Sequence, residues 1–119
     1  MTNKSSSVKE VLLKTTSTWD KEEYKTLRIN KPEVTVLKIT IGVGERLQMH
    51  KHDLVNVAYL QRGTLTIVTD NDDQITIHEG EALPELIGKY HYGKNTGNIP
   101  VELIVFYIGE KGTPLSIDE

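Results

Sequence analysis

Cysteine is absent from this chain of 119 residues. Disulfide bonds, thiolate metal ligands and a cysteine nucleophile are therefore excluded. Any bound metal has to be held by nitrogen and oxygen ligands, which four histidines and 17 acidic side chains can supply.

Basic clusters and long apolar runs are also missing. The net charge is −3 and no block of Lys and Arg appears, so a nucleic-acid partner has little support. No apolar segment approaches the ~18 residues of a membrane span. The polar residues 1–7 are not followed by the apolar stretch of a signal peptide. We therefore expect a cytoplasmic protein of one domain, with no nucleic-acid or membrane partner.

Residues 34–108 have the pattern of short β-strands. Residues 34–41 (VTVLKITI) are rich in β-branched side chains and alternate along the strand. Turn signals of Gly, Asn or Asp separate this segment from the strand-like segments that follow. Those segments are 55–62, 64–69, 74–78, 82–87 and 101–108. About seven strands at this spacing predict an all-β sandwich or barrel.

The N-terminal third has a different pattern. Residues 8–14 (VKEVLLK) fit a strand or a short helical turn, and we favour the strand. Residues 15–33 lack a clear period, and we interpret them as an arm and loop whose Trp19 and Tyr24 pack on the barrel surface. The predicted organisation is an N-terminal arm and possible dimerisation strand at 1–33, a barrel at 34–110 and a C-terminal tail at 111–119.

Three of the four histidines lie in two segments of similar layout. In the first, Gly44 is followed by His50 and His52, which project from the same face if the segment is a strand. That geometry suits two ligands of one metal ion. In the second, Gly80 is followed by His91. The fourth histidine, His78, lies beside a turn and is expected at the surface.

These two segments resemble the two sequence motifs of the cupin superfamily. The first family motif is Gly, five residues, His-x-His, three or four residues, Glu, six residues and Gly; here Asn56 stands where the family has Glu. The second is Gly, five residues, Pro-x-Gly, two residues, His, three residues and Asn; here Leu86 replaces the Pro. The chain is most similar to small bacterial single-domain cupins with Asn in the first motif. The resemblance implies a double-stranded β-helix, a jelly-roll barrel, with an N-terminal strand or arm.

The resemblance also implies a divalent transition metal (Fe, Mn, Ni or Zn) held by His50, His52 and His91. Asn56 is a neutral and weaker ligand than glutamate, although three imidazoles alone can bind a metal firmly. One hypothesis is that Glu85 points into the barrel and replaces the missing carboxylate as a ligand, an acceptor for a ligand imidazole or a general base. The alternative is that Glu85 faces solvent or pairs with Lys89.

Three functions remain open at this point. One is a metal-dependent enzyme, either dioxygenase-like or an isomerase or lyase, acting on a small anionic metabolite. The second is a non-catalytic cupin module that binds a small molecule with or without metal. The third is a vestigial or structural domain that works as a dimer. Gln48, Asn56 and Tyr90 are the candidate substrate-pocket residues. The resemblance further implies a homodimer, in which the segment 8–14 could add to the partner's sheet.

Overall fold

A computed structural model describes residues 6–119, which form nine β-strands and no helix. The all-β class is therefore confirmed. Within the described residues, no helix is long and apolar enough to cross a membrane. The strands are β1 (Pro32–Ile41), β2 (His50–Lys51), β3 (Val55–Arg62), β4 (Thr64–Thr69), β5 (Gln74–His78), β6 (Ala82–Pro84), β7 (His91–Asn95), β8 (Val101–Glu110) and β9 (Ile117–Asp118).

The strands form two antiparallel sheets. One has the order β1-β8-β3-β6 and the other the order β5-β4-β7-β2-β9. Side chains alternate along each strand, so β3 directs Asn56, Ala58 and Leu60 inward while their neighbours are more exposed. The inward residues of both sheets, including Leu65 and Val105, form one hydrophobic core. This arrangement matches the expected double-stranded β-helix.

Gly63 carries the chain from β3 in one sheet to β4 in the other. Its φ of 93° lies in the region that favours glycine. A Cβ at this position would also lie 3.0 Å from the carbonyl oxygen of Pro100 and 3.1 Å from Cα of Val101. The tight crossing between the sheets therefore requires glycine for both conformation and space.

The expected strand at residues 8–14 does not form. Val8 is 86% exposed and Val11 is 76% exposed, and the segment is irregular. The prediction was wrong within this chain, because none of the strands among residues 6–119 pairs with this segment to complete its hydrogen bonds. The next part of the arm does pack on the barrel: the backbone N–H of Trp19 donates to Pro84 O at 3.0 Å, and its side chain packs against the core.

The chain turns at a glycine with a positive φ after β6 and again after β8. The strand predicted at 82–87 ends at Pro84, because the chain turns through Gly88 at a φ of 71° before β7 begins. The C-terminal tail does not extend away from the barrel. It reverses at Gly112 and returns, so that β9 pairs with β2.

Replacing leucine by alanine should destabilise the protein much more in the core than at an exposed position. Leu60→Ala removes a fully buried side chain and should lower the free energy of unfolding by about 2–5 kcal/mol, since it leaves a cavity. Leu27→Ala makes the same change at a side chain that is 55% exposed and should cost well under half as much. Urea unfolding of both variants measures the difference. Equal losses would contradict this assignment of the core.

Candidate metal centre

The three predicted histidines meet at one end of the five-stranded sheet. His50 begins β2, His52 follows the end of β2, and His91 begins β7. His50 and His91 are direct partners across the β2–β7 pair. The ring centroid of His50 lies 4.8 Å from those of His52 and His91, and the other two are 5.1 Å apart. One candidate ligand atom from each residue lies within 4.8 Å of the others.

Each of these imidazoles is oriented by a backbone carbonyl. The Nδ1 atom of His50 lies 2.7 Å from Gln48 O, that of His52 lies 2.7 Å from Leu115 O, and that of His91 lies 2.8 Å from Lys89 O. A carbonyl oxygen can only accept a hydrogen bond, so Nδ1 carries the proton in each ring. In the neutral ring, Nε2 then presents a lone pair. The Nε2 atoms of His52 and His91 are buried and have no hydrogen-bond partner.

Burial keeps two of these rings neutral. Loss of hydration lowers the pKa of His52 to about 4 and that of His91 to about 4. Neighbouring imidazoles lower both pKa values further, because protonated rings repel one another. At neutral pH the two buried Nε2 atoms are therefore unprotonated, which is the state that binds metal.

Glu85 lies beside the histidines. It is 6% exposed, and its Oε2 is 3.7 Å from Nε2 of His52 and 3.9 Å from Nε2 of His91. Burial raises the pKa of its carboxyl to about 7. Lys89 pairs with Asp20 and Glu22 of the N-terminal arm. The structure thus places Glu85 toward the histidines, neither facing solvent nor paired with Lys89.

Asn56 and Glu85 are neighbours on adjacent segments. The backbone N–H of Glu85 donates to Asn56 O at 3.1 Å. The Asn56 side chain points inward and is 1% exposed, and its Nδ2 donates to Leu54 O at 3.0 Å. Asn56 does not line the cavity that contains the histidines, whereas Glu85 does. A carboxylate therefore reaches this cavity from the segment next to the motif position.

Two spaces adjoin the histidines and share part of their lining. The inner cavity, about 30 Å³, contains His50, His52, Glu85 and His91 at its polar end. This volume holds one or two water-sized groups. The outer cleft, about 220 Å³, is also lined by His50 and His52. Tyr107 borders both spaces. The remaining lining of the outer cleft is Leu37, Ile39, Leu47, Gln48, Leu115, Ser116 and Asp118.

The other predicted pocket residues divide between two places. Gln48 lines the outer cleft. Tyr90 lies in a separate surface depression with Trp19 and Asp70. The prediction that Tyr90 lines the substrate pocket is therefore corrected. Tyr90 directly precedes His91, and successive side chains of an extended segment point to opposite faces.

Sequence reasoning missed the contribution of the C-terminal tail. Leu115 accepts a hydrogen bond from His52, and Leu115, Ser116 and Asp118 line the outer cleft. No motif marks these residues, and Leu115 lies 63 positions from His52. The strand alternation of β8 does indicate Tyr107, because it shares the inward face with Leu103 and Val105.

Residues 37–107 match the protein family described as the cupin domain. The match covers more than half of the chain. The protein belongs to the cupin family. A search of curated proteins found no match to this cupin.

Solved structures share the fold of this cupin at low sequence identity. A cupin-like protein from Thermotoga maritima is 12% identical, with a TM-score of 0.64 over 72% of this chain and 64% of that one. DMSP lyase from Ruegeria pomeroyi is 13% identical, with a TM-score of 0.61 over 71% and 42%. Oxalate decarboxylase from Lactobacillus farciminis, in complex with formate, is 17% identical, with a TM-score of 0.61 over 71% and 26%. The chain thus spans less than half the length of either enzyme.

Removing the Glu85 carboxyl should steepen the pH dependence of stability in the metal-free protein. Between about pH 4 and 6.5 the unfolded chain protonates His52 and His91 while the folded protein does not, so stability rises with pH. Glu85 acts with the opposite sign between about pH 4.5 and 7, because the folded protein retains a proton that the unfolded chain releases. Glu85→Gln abolishes this opposing contribution.

Urea unfolding with a chelator present, repeated from pH 4 to 7, measures both slopes. Glu10→Gln, at an exposed position, is the matched control and should leave the wild-type slope unchanged. A Glu85→Gln slope equal to that of wild type would contradict the assignment.

Proposed function

We propose that this cupin is a metal-dependent enzyme that acts on a small anionic metabolite in the cytoplasm. In this proposal, His50, His52, His91 and Glu85 hold one divalent transition metal: Fe, Mn, Ni or Zn. The observation that carries the proposal is the pair of buried, unpartnered Nε2 atoms in rings whose Nδ1 atoms are already bonded. A buried polar atom without a partner costs about 1–3 kcal/mol. A bound cation explains why the fold retains two of them side by side.

The donor distances support one shared ion. Nitrogen and oxygen ligands lie ~2.0–2.2 Å from such a metal, so two ligands of one ion are at most ~4.3 Å apart. The distances of 3.7 and 3.9 Å from Glu85 Oε2 to the two Nε2 atoms satisfy this limit. The 4.8 Å bound on the histidine atoms exceeds it by roughly half an ångström. His50 is less buried than His52 and His91.

Glu85 supplies the charge that Asn56 lacks. One carboxylate reduces the local charge of a divalent ion from +2 to +1, and the remaining positive charge favours an anionic substrate. Neither space beside the histidines is lined by Lys or Arg among the described residues. The attraction for an anion would therefore come from the metal centre itself.

The inner cavity and the outer cleft differ in the size of the group that each can hold. The inner cavity of about 30 Å³ is too small for a metabolite, whereas the outer cleft of about 220 Å³ accommodates a small one. Leu37, Ile39 and Leu47 give the cleft an apolar lining, and Gln48 offers a polar contact. The metal, when bound, would act as a Lewis acid and orient the substrate or O2. The neighbouring DMSP lyase and oxalate decarboxylase folds are consistent with a small-molecule substrate.

Metal content tests the proposal directly. Freshly purified protein should contain stoichiometric Fe, Mn, Ni or Zn by elemental analysis, and His91→Ala should lose most of it because a buried ligand is removed. His78→Ala is the matched control, since the His78 side chain is 68% exposed and remote from the site. A protein that stays metal-free after reconstitution would overturn the proposal.

Turnover assays on the metal-loaded protein then separate the reaction classes. Oxygen consumption with small oxo acids indicates dioxygenase-like chemistry, and oxygen-independent conversion indicates an isomerase or lyase. Metal and ligand binding without any turnover would replace the enzyme with the non-catalytic binding module.

We also propose that two copies pair through the outer face of the four-stranded sheet. Val34 stands opposite Ile108 and Val36 opposite Phe106 across the β1–β8 pair. All four are exposed, by 66%, 39%, 55% and 47% respectively, and form one apolar patch. The N-terminal arm also carries exposed apolar side chains, including Val8. In a two-fold dimer, each copy can cover the apolar patch and the apolar arm of the other at the same time.

Light scattering of the purified protein should give the mass of a dimer. Phe106→Lys should shift it toward the monomer by burying a charge in the patch. Val43→Lys, at a position that is 56% exposed and outside the patch, should leave the mass unchanged. A monomeric wild-type protein would rule out this pairing.

A further inference from the structure

We infer that the C-terminal tail, residues 111–119, is a positioning strap for the metal centre. It selects the metal-binding tautomer of His52 and closes one side of the outer cleft. The inference rests on the proposed function because it concerns the same site. It assigns a role to a segment that carries no motif.

His52 differs from the other two histidines in the origin of its hydrogen-bond acceptor. His50 and His91 donate to carbonyls two residues earlier in their own segments, Gln48 O and Lys89 O. His52 donates to Leu115 O, 63 residues away, at 2.7 Å. Its orientation therefore depends on whether the tail is in place. Without an acceptor at Nδ1, the ring is free to carry its proton on Nε2, where it would block a metal.

The tail is attached to the site by a short set of contacts. In the β2–β9 pair, His50 stands opposite Asp118 and Lys51 opposite Ile117. The N–H of Glu119 donates to Met49 O at 3.1 Å. Leu115 is the tail residue that packs against the core. The tail thus contacts the segment that carries His50 and His52 while contributing little to the core itself.

Gly112 allows the tail to reach the site. Its φ is 86°, in the region that disfavours other residues, although a Cβ at this position would have no atom within 4 Å. The glycine is therefore needed for the reversal of the chain after β8 and not for space. Gly80 has the same φ of 86° and equally open surroundings, in the turn between β5 and β6.

The tail also bounds the outer cleft. Leu115, Ser116 and Asp118 line the cleft together with His50 and His52. Removal of the tail opens the cleft at the same time as it frees Nδ1 of His52. The segment therefore couples the orientation of one ligand to access to the site.

A truncation tests the strap in an otherwise complete protein. A chain ending at Pro114 lacks the Leu115 carbonyl. The full-length variant Glu119→Gln, which keeps the backbone N–H that donates to Met49 O, is the control. In the metal-free proteins, ring nitrogen chemical shifts from ¹⁵N-labelled histidine report which nitrogen of His52 carries the proton. Calorimetric titration with Zn²⁺ reports affinity. The truncation should lose the Nδ1-protonated form of His52 and bind Zn²⁺ about tenfold or more weakly, while the control keeps both.

Point variants give an independent test that retains every tail residue from Leu115 onward. Gly112→Val strains the reversal and should shift the His52 tautomer and weaken Zn²⁺ binding. Gly80→Val introduces the same strain in the turn between β5 and β6, which lies outside both spaces beside His50, His52 and His91, and should change neither. If the truncated chain does not fold, these two variants still test whether the tail positions His52.

The two ways of failing are distinguishable. If full-length protein binds none of Fe²⁺, Mn²⁺, Ni²⁺ and Zn²⁺, the proposed function fails and this inference fails with it. If full-length protein binds but truncation or Gly112→Val leaves the His52 tautomer and the affinity unchanged, the strap is overturned and the proposed function stands.

Discussion

Three hydrogen bonds from imidazole Nδ1 atoms to backbone carbonyls govern this site. Each bond, 2.7 or 2.8 Å long, places the proton on Nδ1 and leaves Nε2 unprotonated. The same bonds restrain the rings, so the lone pairs of His52 and His91 stay directed into a buried space with no partner. Burial alone would favour neutral histidines. It is the carbonyls that decide which nitrogen is available.

Both ends of the chain support this arrangement. The N-terminal arm contacts Pro84 through Trp19 and Lys89 through Asp20 and Glu22, on either side of the segment that carries Glu85. Lys89 is also the residue whose carbonyl orients His91. The C-terminal tail supplies the carbonyl for His52. Segments outside the central strands thus contribute to the position of two of the histidines and of the nearby carboxylate.

The β-strands and the histidine cluster were accessible from the sequence because both depend on local patterns. Alternation and turn residues identified β3, β4 and β5 with the bounds that the structure has. The spacing of His50 and His52 and the motif around His91 indicated one shared site, and the rings do meet. The strand prediction for the segment 8–14 was wrong, because an apolar pattern does not say whether a neighbouring strand exists to pair with it. Tyr90 was wrongly assigned to the substrate pocket. It lies next to His91 in the sequence, but its side chain points in the opposite direction.

The sequence by itself determined the fold class, the absence of thiolate ligands and the three histidines that converge. These follow from residue type and short-range spacing, which fix the direction of side chains along a strand. Tertiary structure alone decided that Glu85 faces the histidines, that Asn56 is turned to Leu54 O, and that Leu115 holds His52. Each of these depends on how separate segments are placed against one another. The register of one strand against another, and the return path of the tail, set those contacts, and neither is encoded in a local pattern.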